Sequence, residues 1–300
     1  MDIFAPAYYK KFKCIADKCT HSCCVGWQID VDEKTLEKYK SLNEITRNEL
    51  LSHVEQEEDG AHIRLGDGGR CPFLDLNGLC RIISSLGEDF ISDICREHPR
   101  FYNRTAKGTE VGLGLVCEEA CRIVLTSDDF NVLEKVSEIE AAGCFNGYDA
   151  LPHRDFLLSL LADTGLTYEQ KLSEIEKNYN VSANIKSLSE WQEIIGGLEF
   201  MNSRNREMIL SLFDRNSYSS SYIKRFLAYL ITRYVTASES YDNLRARLGF
   251  CLLGARLMEC AAEKEESDSD ILEFARIFSE EIEYCEDNVE AIIFEFECTI

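Results

Sequence analysis

Apolar residues in the C-terminal half recur with a helical period. Ile223, Phe226, Leu227, Leu230, Ile231 and Tyr234 fall at i, i+3, i+4, i+7, i+8 and i+11, which is one face of an amphipathic helix. Ile271, Phe274, Ala275, Phe278, Ile282 and Cys285 follow nearly the same series. Leu244 to Met258 is apolar on most sides, as a central buried helix would be. Linkers are predicted at Asn216–Ser221 and Glu263–Asp270, where polar residues interrupt the pattern. Residues 151–300 therefore read as a helical bundle.

The N-terminal part is less regular. A helix is predicted over 32–56, opened by Asp32 as N-cap and carried by Leu36, Tyr39 and Leu50. Short segments follow at Ala61–Leu65, Phe73–Leu76 and Leu79–Ile83. Asn77-Gly78 between the last two predicts a β-hairpin. Helices are predicted again at 87–97 and 118–126. Periodicity lapses near 127–150, where Gly143, Gly147 and Pro152 cluster. The expected architecture is mainly α: an irregular cysteine-cluster domain with a short β-hairpin over 1–126, a connecting segment over 127–150, and the bundle over 151–300.

Composition sharpens this picture in two places. The 300 residues are 45% hydrophobic, enough for a sizeable core, but carry a net charge of −22. Such a chain is a poor candidate for binding nucleic acid or anionic lipid through its general field. No apolar run approaches the ~18–20 residues of a membrane span. The N-terminus shows no charged region followed by an apolar one, so a soluble, cytoplasmic protein is expected. The last 38 residues hold 14 acidic and 2 basic groups. They read either as a solvated helix face or as an acidic surface for a lysine-bearing partner.

The second place is cysteine, 14 in all, nine of them within the first 121 residues. In order they are Cys14, Cys19, Cys23, Cys24, Cys71, Cys80, Cys95, Cys117 and Cys121. Clustered thiols in a cytosolic chain point to metal or redox chemistry rather than disulfides. Four thiolates can hold a tetrahedral zinc ion or a [4Fe–4S] cluster. The first eight supply enough for one site with spares, or for two. Cys71 and Cys80 flank the expected turn, which would bring them together. Cys144, Cys251, Cys260, Cys285 and Cys298 are scattered and read as core residues, while Cys121 could be either. His21 could add a nitrogen ligand. His53, His62, His98 and His153 show no ligand spacing. Trp27 reads as a packing aromatic beside the thiols.

Two other patterns lack the context they need. Cys19-x3-Cys23 begins like a radical S-adenosylmethionine motif, but Gly26 stands where the third cysteine belongs. Glu110-Val111-Gly112-Leu113-Gly114 is like the first loop of a Rossmann-type methyltransferase, but no βαβ series surrounds it.

Several blocks resemble a known family. Pro6, Phe12-Lys13-Cys14-Ile15, Cys19, Ser22-Cys23-Cys24, Gly26-Trp27 and Ile29-Asp30 resemble the opening of the flagellin lysine N-methylases. Cys71-Pro72-Phe73-Leu74, Gly78-Leu79-Cys80-Arg81-Ile82, Leu86-Gly87-Glu88, Ile94-Cys95 and Pro99-Arg100 continue the likeness. The family's Ser-Cys-Pro-Glu-Ala-Ala-Arg stands here as Val116-Cys117-Glu118-Glu119-Ala120-Cys121-Arg122. Glu280-Glu281-Ile282-Glu283-Tyr284 and Asp287-Asn288 are similar too. The resemblance implies methyl transfer from S-adenosylmethionine to lysines of flagellin, with an iron–sulfur cluster. The same cysteine blocks resemble a wider group of zinc- or iron-chelating proteins, which implies the alternative of a non-enzymatic metal-binding module.

Lysine methylation by polar displacement needs a deprotonated amine aligned with the sulfonium methyl. Glu119, beside Cys117, and Tyr102 are the candidate proton acceptors. Arg100 and Arg122 are the candidates to hold the methyl donor's carboxylate in two-point contact. Glu119 and the two arginines have a structural reading as well: an exposed helix-start glutamate and structural salt bridges.

Overall fold

The computed structural model describes residues 2–58, 60–138, 145–214, 221–262 and 268–300. Cys144 and most of both expected linkers lie outside the described residues. In chain order the elements begin with β1 (Asp2–Pro6), α1 (Glu33–Ser41), α2 (Glu44–Leu51), β2 (Val54–Glu57) and β3 (Gly60–Ile63). Next come α3 (Arg81–Leu86), α4 (Asp93–Glu97), β4 (Arg100–Thr105), β5 (Gly108–Leu113), α5 (Glu118–Thr126) and β6 (Leu133–Glu138). The rest is helical: α6 (Leu151–Ala162), α7 (Tyr168–Tyr179), α8 (Leu188–Gly196), α9 (Ser203–Ser211) and α10 (Ser221–Leu230). The series closes with α11 (Tyr241–Ala261), α12 (Asp268–Phe278) and α13 (Glu286–Glu297). The fold is mainly α, as the periodicity predicts. No helix among the described residues is long and apolar enough to cross a membrane.

The chain forms two compact units that do not follow the expected boundaries at 126 and 150. One is Lys13–Pro99; the other joins Met1–Phe12 to Arg100–Ile300. Strand pairing explains the division. The larger unit carries a sheet in the order β4-β5-β1-β6. β1 pairs parallel with β5, Ile3 opposite Thr109, and antiparallel with β6. The N-terminal strand thus belongs with residues 100–138, a long-range pairing that no local pattern announces. Gly108 is required there: its φ is +150°, and a Cβ would sit 2.3 Å from the Asp2 carbonyl oxygen.

In the larger unit α11 is buried on most sides, from Leu244 to Ala261. Its own Phe250 meets Phe278 of α12 at 6.2 Å between ring centres, and Phe278 meets Phe226 of α10 at 5.5 Å. Cys251 and Cys260 are core residues, as expected. Cys285 is only half-buried and Cys298 is exposed, so neither fills the core. Cys121 is buried and its thiol donates to the Leu272 carbonyl, 3.3 Å away. The acidic C-terminal segment is more than a solvated face. Glu281 and Glu283 are buried, and Glu281 accepts from the Met201 amide at 2.8 Å and from Asn205 at 2.7 Å.

The smaller unit has a modest core of Ile29, Val31, Tyr39, Leu50, Ile63, Cys71, Phe73, Leu74, Ile82 and Ile91. The single helix expected over 32–56 is two. Asn43 caps a second helix by accepting from the Thr46 amide, and 54–57 turns into strand. The hairpin expected around Asn77-Gly78 is a turn with one bridge, Leu74 to Cys80, because Cys80 already begins α3. The hairpin of this unit is β2–β3 instead.

Candidate metal centre

The smaller unit gathers thiols from three stretches of chain. Cys24 and Cys71 meet first. The Cys71 amide donates to the Cys24 carbonyl at 2.8 Å, and Val25 bridges to Arg70. Two glycines permit this approach: Gly26 and Gly69 both have positive φ, and the Gly26 amide donates to the Gly69 carbonyl at 2.8 Å. From Cys71 the chain turns through Asp75, whose carboxylate accepts from the amides of Asn77 and Leu79, each at 2.8 Å. That turn delivers Cys80 to the start of α3. Arg70 and Arg81 brace the loop from either side by donating to the carbonyls of Asp75 and Pro72, at 2.6 and 3.1 Å. Cys95 comes from α4.

Four of these thiols feel one another's charge. Burial pushes Cys71 up to about 11, with the charges of Cys24, Cys80 and Cys95 adding to it. Cys80 and Cys95 are raised as well, by burial first and by their neighbours' charges. Cys24 is brought down to about 7, chiefly by a hydrogen bond with the Cys23 thiol and against burial, with Ser22 and Arg70 assisting. Thiolates that resist one another's charge are stabilised by a shared cation, and soft sulfur donors select zinc, copper(I) or iron–sulfur clusters. Cys24, Cys71, Cys80 and Cys95 therefore fit a metal centre. The described cysteines are free thiols, with no disulfide among them.

Cys23 joins this group through its hydrogen bond with Cys24, and the other predicted ligands have further contacts. Cys14 is exposed and its sulfur accepts from the Ala16 amide at 3.4 Å. The Cys19 thiol donates to the His21 carbonyl at 3.1 Å, and His21 Nδ1 lies 2.9 Å from the Thr20 hydroxyl. Cys23 is exposed beside Cys24. Cys117 stands at the N-cap position of α5 in the other unit; burial pushes the nearby Tyr284 hydroxyl up to about 12, with the charges of Glu283 and then Cys117 adding to it.

The predicted reaction residues all lie in the larger unit. Arg100 donates from Nε to the Tyr9 hydroxyl at 2.7 Å and stacks over Tyr9 and Phe12. Tyr102 is half exposed on β4. Arg122 grips Glu119 with two hydrogen bonds, 2.6 and 2.7 Å long, within α5.

Sequence spacing misses one donor group. Glu55, Glu57 and His62 have ligand atoms within 4.8 Å of one another. The β2–β3 register puts His62 opposite Glu55, a relation that a linear motif does not express.

Residues 13–122 match a family described as CxxCxxCC, "Putative zinc- or iron-chelating domain". The chain is 28% identical over 161 residues to the lysine N-methylases of Salmonella typhimurium and Salmonella choleraesuis. The resemblance to lysine N-methylases is borne out. These matches cover 52% of this chain and 40% of each relative, so the chain spans well under half of those proteins. The flagellar biosynthetic protein FliU of Salmonella muenchen is also 28% identical, over 130 residues that make up 77% of its length. No solved structure matches. The matched family region contains all eight predicted ligand cysteines, the quartet included.

Proposed function

We propose that the chain is a cytoplasmic protein lysine N-methyltransferase that uses S-adenosylmethionine and acts on flagellin, with metal held by the cysteines of its smaller unit. The observation that carries this reading is the thiol quartet, lying within a chain whose relatives are named lysine N-methylases. The form of metal we infer is a [4Fe–4S] cluster, with zinc as the alternative, since four thiolates can hold either. A bound cluster would supply a thiolate-held staple for a unit whose apolar core is small.

The reaction asks other things of the larger unit. The lysine nitrogen, once deprotonated, attacks the sulfonium methyl. The C–S bond breaks, and the donor leaves as a neutral thioether. Glu119 or Tyr102 takes the proton the ammonium gives up. Arg100 and Arg122 hold the donor's carboxylate. Glu119 and Arg122 grip each other in the resting chain, so both must exchange that contact for substrate and donor.

Purification without oxygen, followed by iron, sulfide and zinc analysis, tests the metal. Incubation with flagellin and methyl-labelled S-adenosylmethionine tests the activity. Label in flagellin lysines is expected. A metal-replete sample that labels none would favour the alternative, a non-enzymatic zinc- or iron-chelating module, for which the family match over 13–122 is the supporting observation.

A further inference from the structure

Two π-helical turns face each other in the larger unit, Ile231–Val235 at the end of α10 and Ser279–Glu283 at the end of α12. Such turns give up regular hydrogen bonding and collect at functional sites. Here they present one cation to several partners. The Arg233 guanidinium lies 5.0 Å from the ring centre of Phe101, 5.3 Å from Tyr284 and 5.5 Å from Tyr234. Its Nη1 donates to the Tyr229 hydroxyl at 2.8 Å and stands 3.5 Å from Glu283 Oε1. The Tyr229 hydroxyl in turn reaches the Glu283 carboxylate, 3.0 and 3.1 Å from its two oxygens. Asn103 pins the first turn by donating to the carbonyls of Thr232 and Arg233, each at 3.1 Å.

Burial grades from floor to mouth. The Glu283 side chain is wholly buried, Tyr229 and Tyr234 nearly so, while Arg233, Phe101 and Tyr284 are partly exposed. Three ring faces over a buried carboxylate make a receptor for an organic cation. A core needs no such arrangement, since apolar residues fill the same volume at no loss of stability. Arg233 also has the shape of a lodger: a long apolar stem with a charged head, as lysine has.

We propose that this aromatic box is the receptor for the ammonium group of the target lysine, and that Arg233 is a resident cation which the substrate displaces. The proposal rests on the lysine-methylation reading and names the substrate-binding end of that site. Self-occupation lowers the apparent affinity for an incoming cation by the fraction of time the box is open. It keeps the buried carboxylate paired while no substrate is bound.

The test uses n-butylammonium as the lysine side-chain probe and n-butanol as its neutral control, titrated into the 300-residue chain by calorimetry or NMR. Arg233→Ala is expected to bind n-butylammonium at least about tenfold more tightly than the wild type does, with no gain for n-butanol. Arg233→Gln, which keeps a hydrogen-bonding partner for Tyr229, is expected to show the same gain and serves if the alanine variant does not fold. Equal affinity of wild type and variants for n-butylammonium, or an equal gain for n-butanol, overturns the proposal. Methyl transfer to flagellin is measured separately on the wild type. If the variants gain affinity while the wild type methylates nothing, the receptor stands and the methylation reading falls.

Discussion

Cys71 and Cys251 are both buried thiols, at 6% and 0% exposure, yet they should respond very differently to replacement by alanine. In each case the lost sulfur is worth about as much as one buried methylene, ~0.8 kcal/mol. The cavity left behind raises this to roughly 1–2 kcal/mol. That is the whole expected cost for Cys251, which packs within α11. Cys71 also feels the charges of the Cys24, Cys80 and Cys95 thiols. If those four hold metal, Cys71→Ala removes a ligand from a site whose binding energy is folding energy, on the order of 10–16 kcal/mol for structural zinc in small domains. Even a fraction of that rivals the ~5–15 kcal/mol by which a whole domain is stable. The assay is paired: metal content by mass spectrometry, and hydrogen exchange followed separately over 13–99 and 100–300. Cys251→Ala should keep full metal content and lose a little protection in the larger unit. Cys71→Ala should lose metal, with protection collapsing over Lys13–Pro99. Equal metal content and equally mild losses in the two variants would refute the assignment of Cys71 as a ligand.

Other consequences follow from the packing. Asp32 caps α1 through the Thr35 amide at 2.9 Å and also accepts from the Asp93 amide at 2.9 Å, so Asp32→Ala should cost about 1–2 kcal/mol in urea unfolding at pH 7. Although burial works against it, these amides hold the Asp32 carboxyl below its usual pKa. Its contribution is therefore complete above about pH 4, and the gap from wild type should narrow as the pH falls through the lowered folded value. Arg154 and Glu110 form a buried two-point ion pair, 2.5 and 2.8 Å, so Arg154→Met alone should cost about 3–5 kcal/mol by unfolding midpoint, and adding Glu110→Leu should recover most of it. Gly249 lies under Phe296, where a Cβ would come within 2.2 Å of the ring. Gly249→Ala should lower the melting temperature by an overpacking cost of about 1–3 kcal/mol, although alanine is the better helix former.

Local patterns foretold α5 over 118–126 to the residue, and α11 from its apolar surface. Other elements depended on contacts that no local window contains. β1 is a strand only because β5 and β6 flank it. The apolar series ending at Tyr234 and Cys285 reads as unbroken α-helix, because a π turn changes which amide meets which carbonyl while leaving apolar spacing almost intact. The break after Leu42 was written in the chain, since Asn43 followed by Glu44 is a helix start, but the continuing amphipathic spacing hid it.

The candidate site divides the same way. Thiol clustering pointed to metal from sequence alone. Which thiols come together depended on the glycine-permitted approach of Gly26 to Gly69, which sets Cys24 against Cys71 across 47 residues of chain. His62 lacked ligand spacing in sequence and gained two carboxylate neighbours through strand register. Arg233 carried no motif, and its partners come from β4, from the end of α10 and from the turn after α12.

The central claim, that the smaller unit is a metal-holding centre built on Cys24, Cys71, Cys80 and Cys95, is tested most directly by metal and sulfide content after purification without oxygen. The wild-type chain should carry stoichiometric iron with acid-labile sulfide, and a variant with all four cysteines changed to serine should carry neither. Wild-type protein with neither iron nor zinc, or a quadruple variant that keeps its metal, would contradict it.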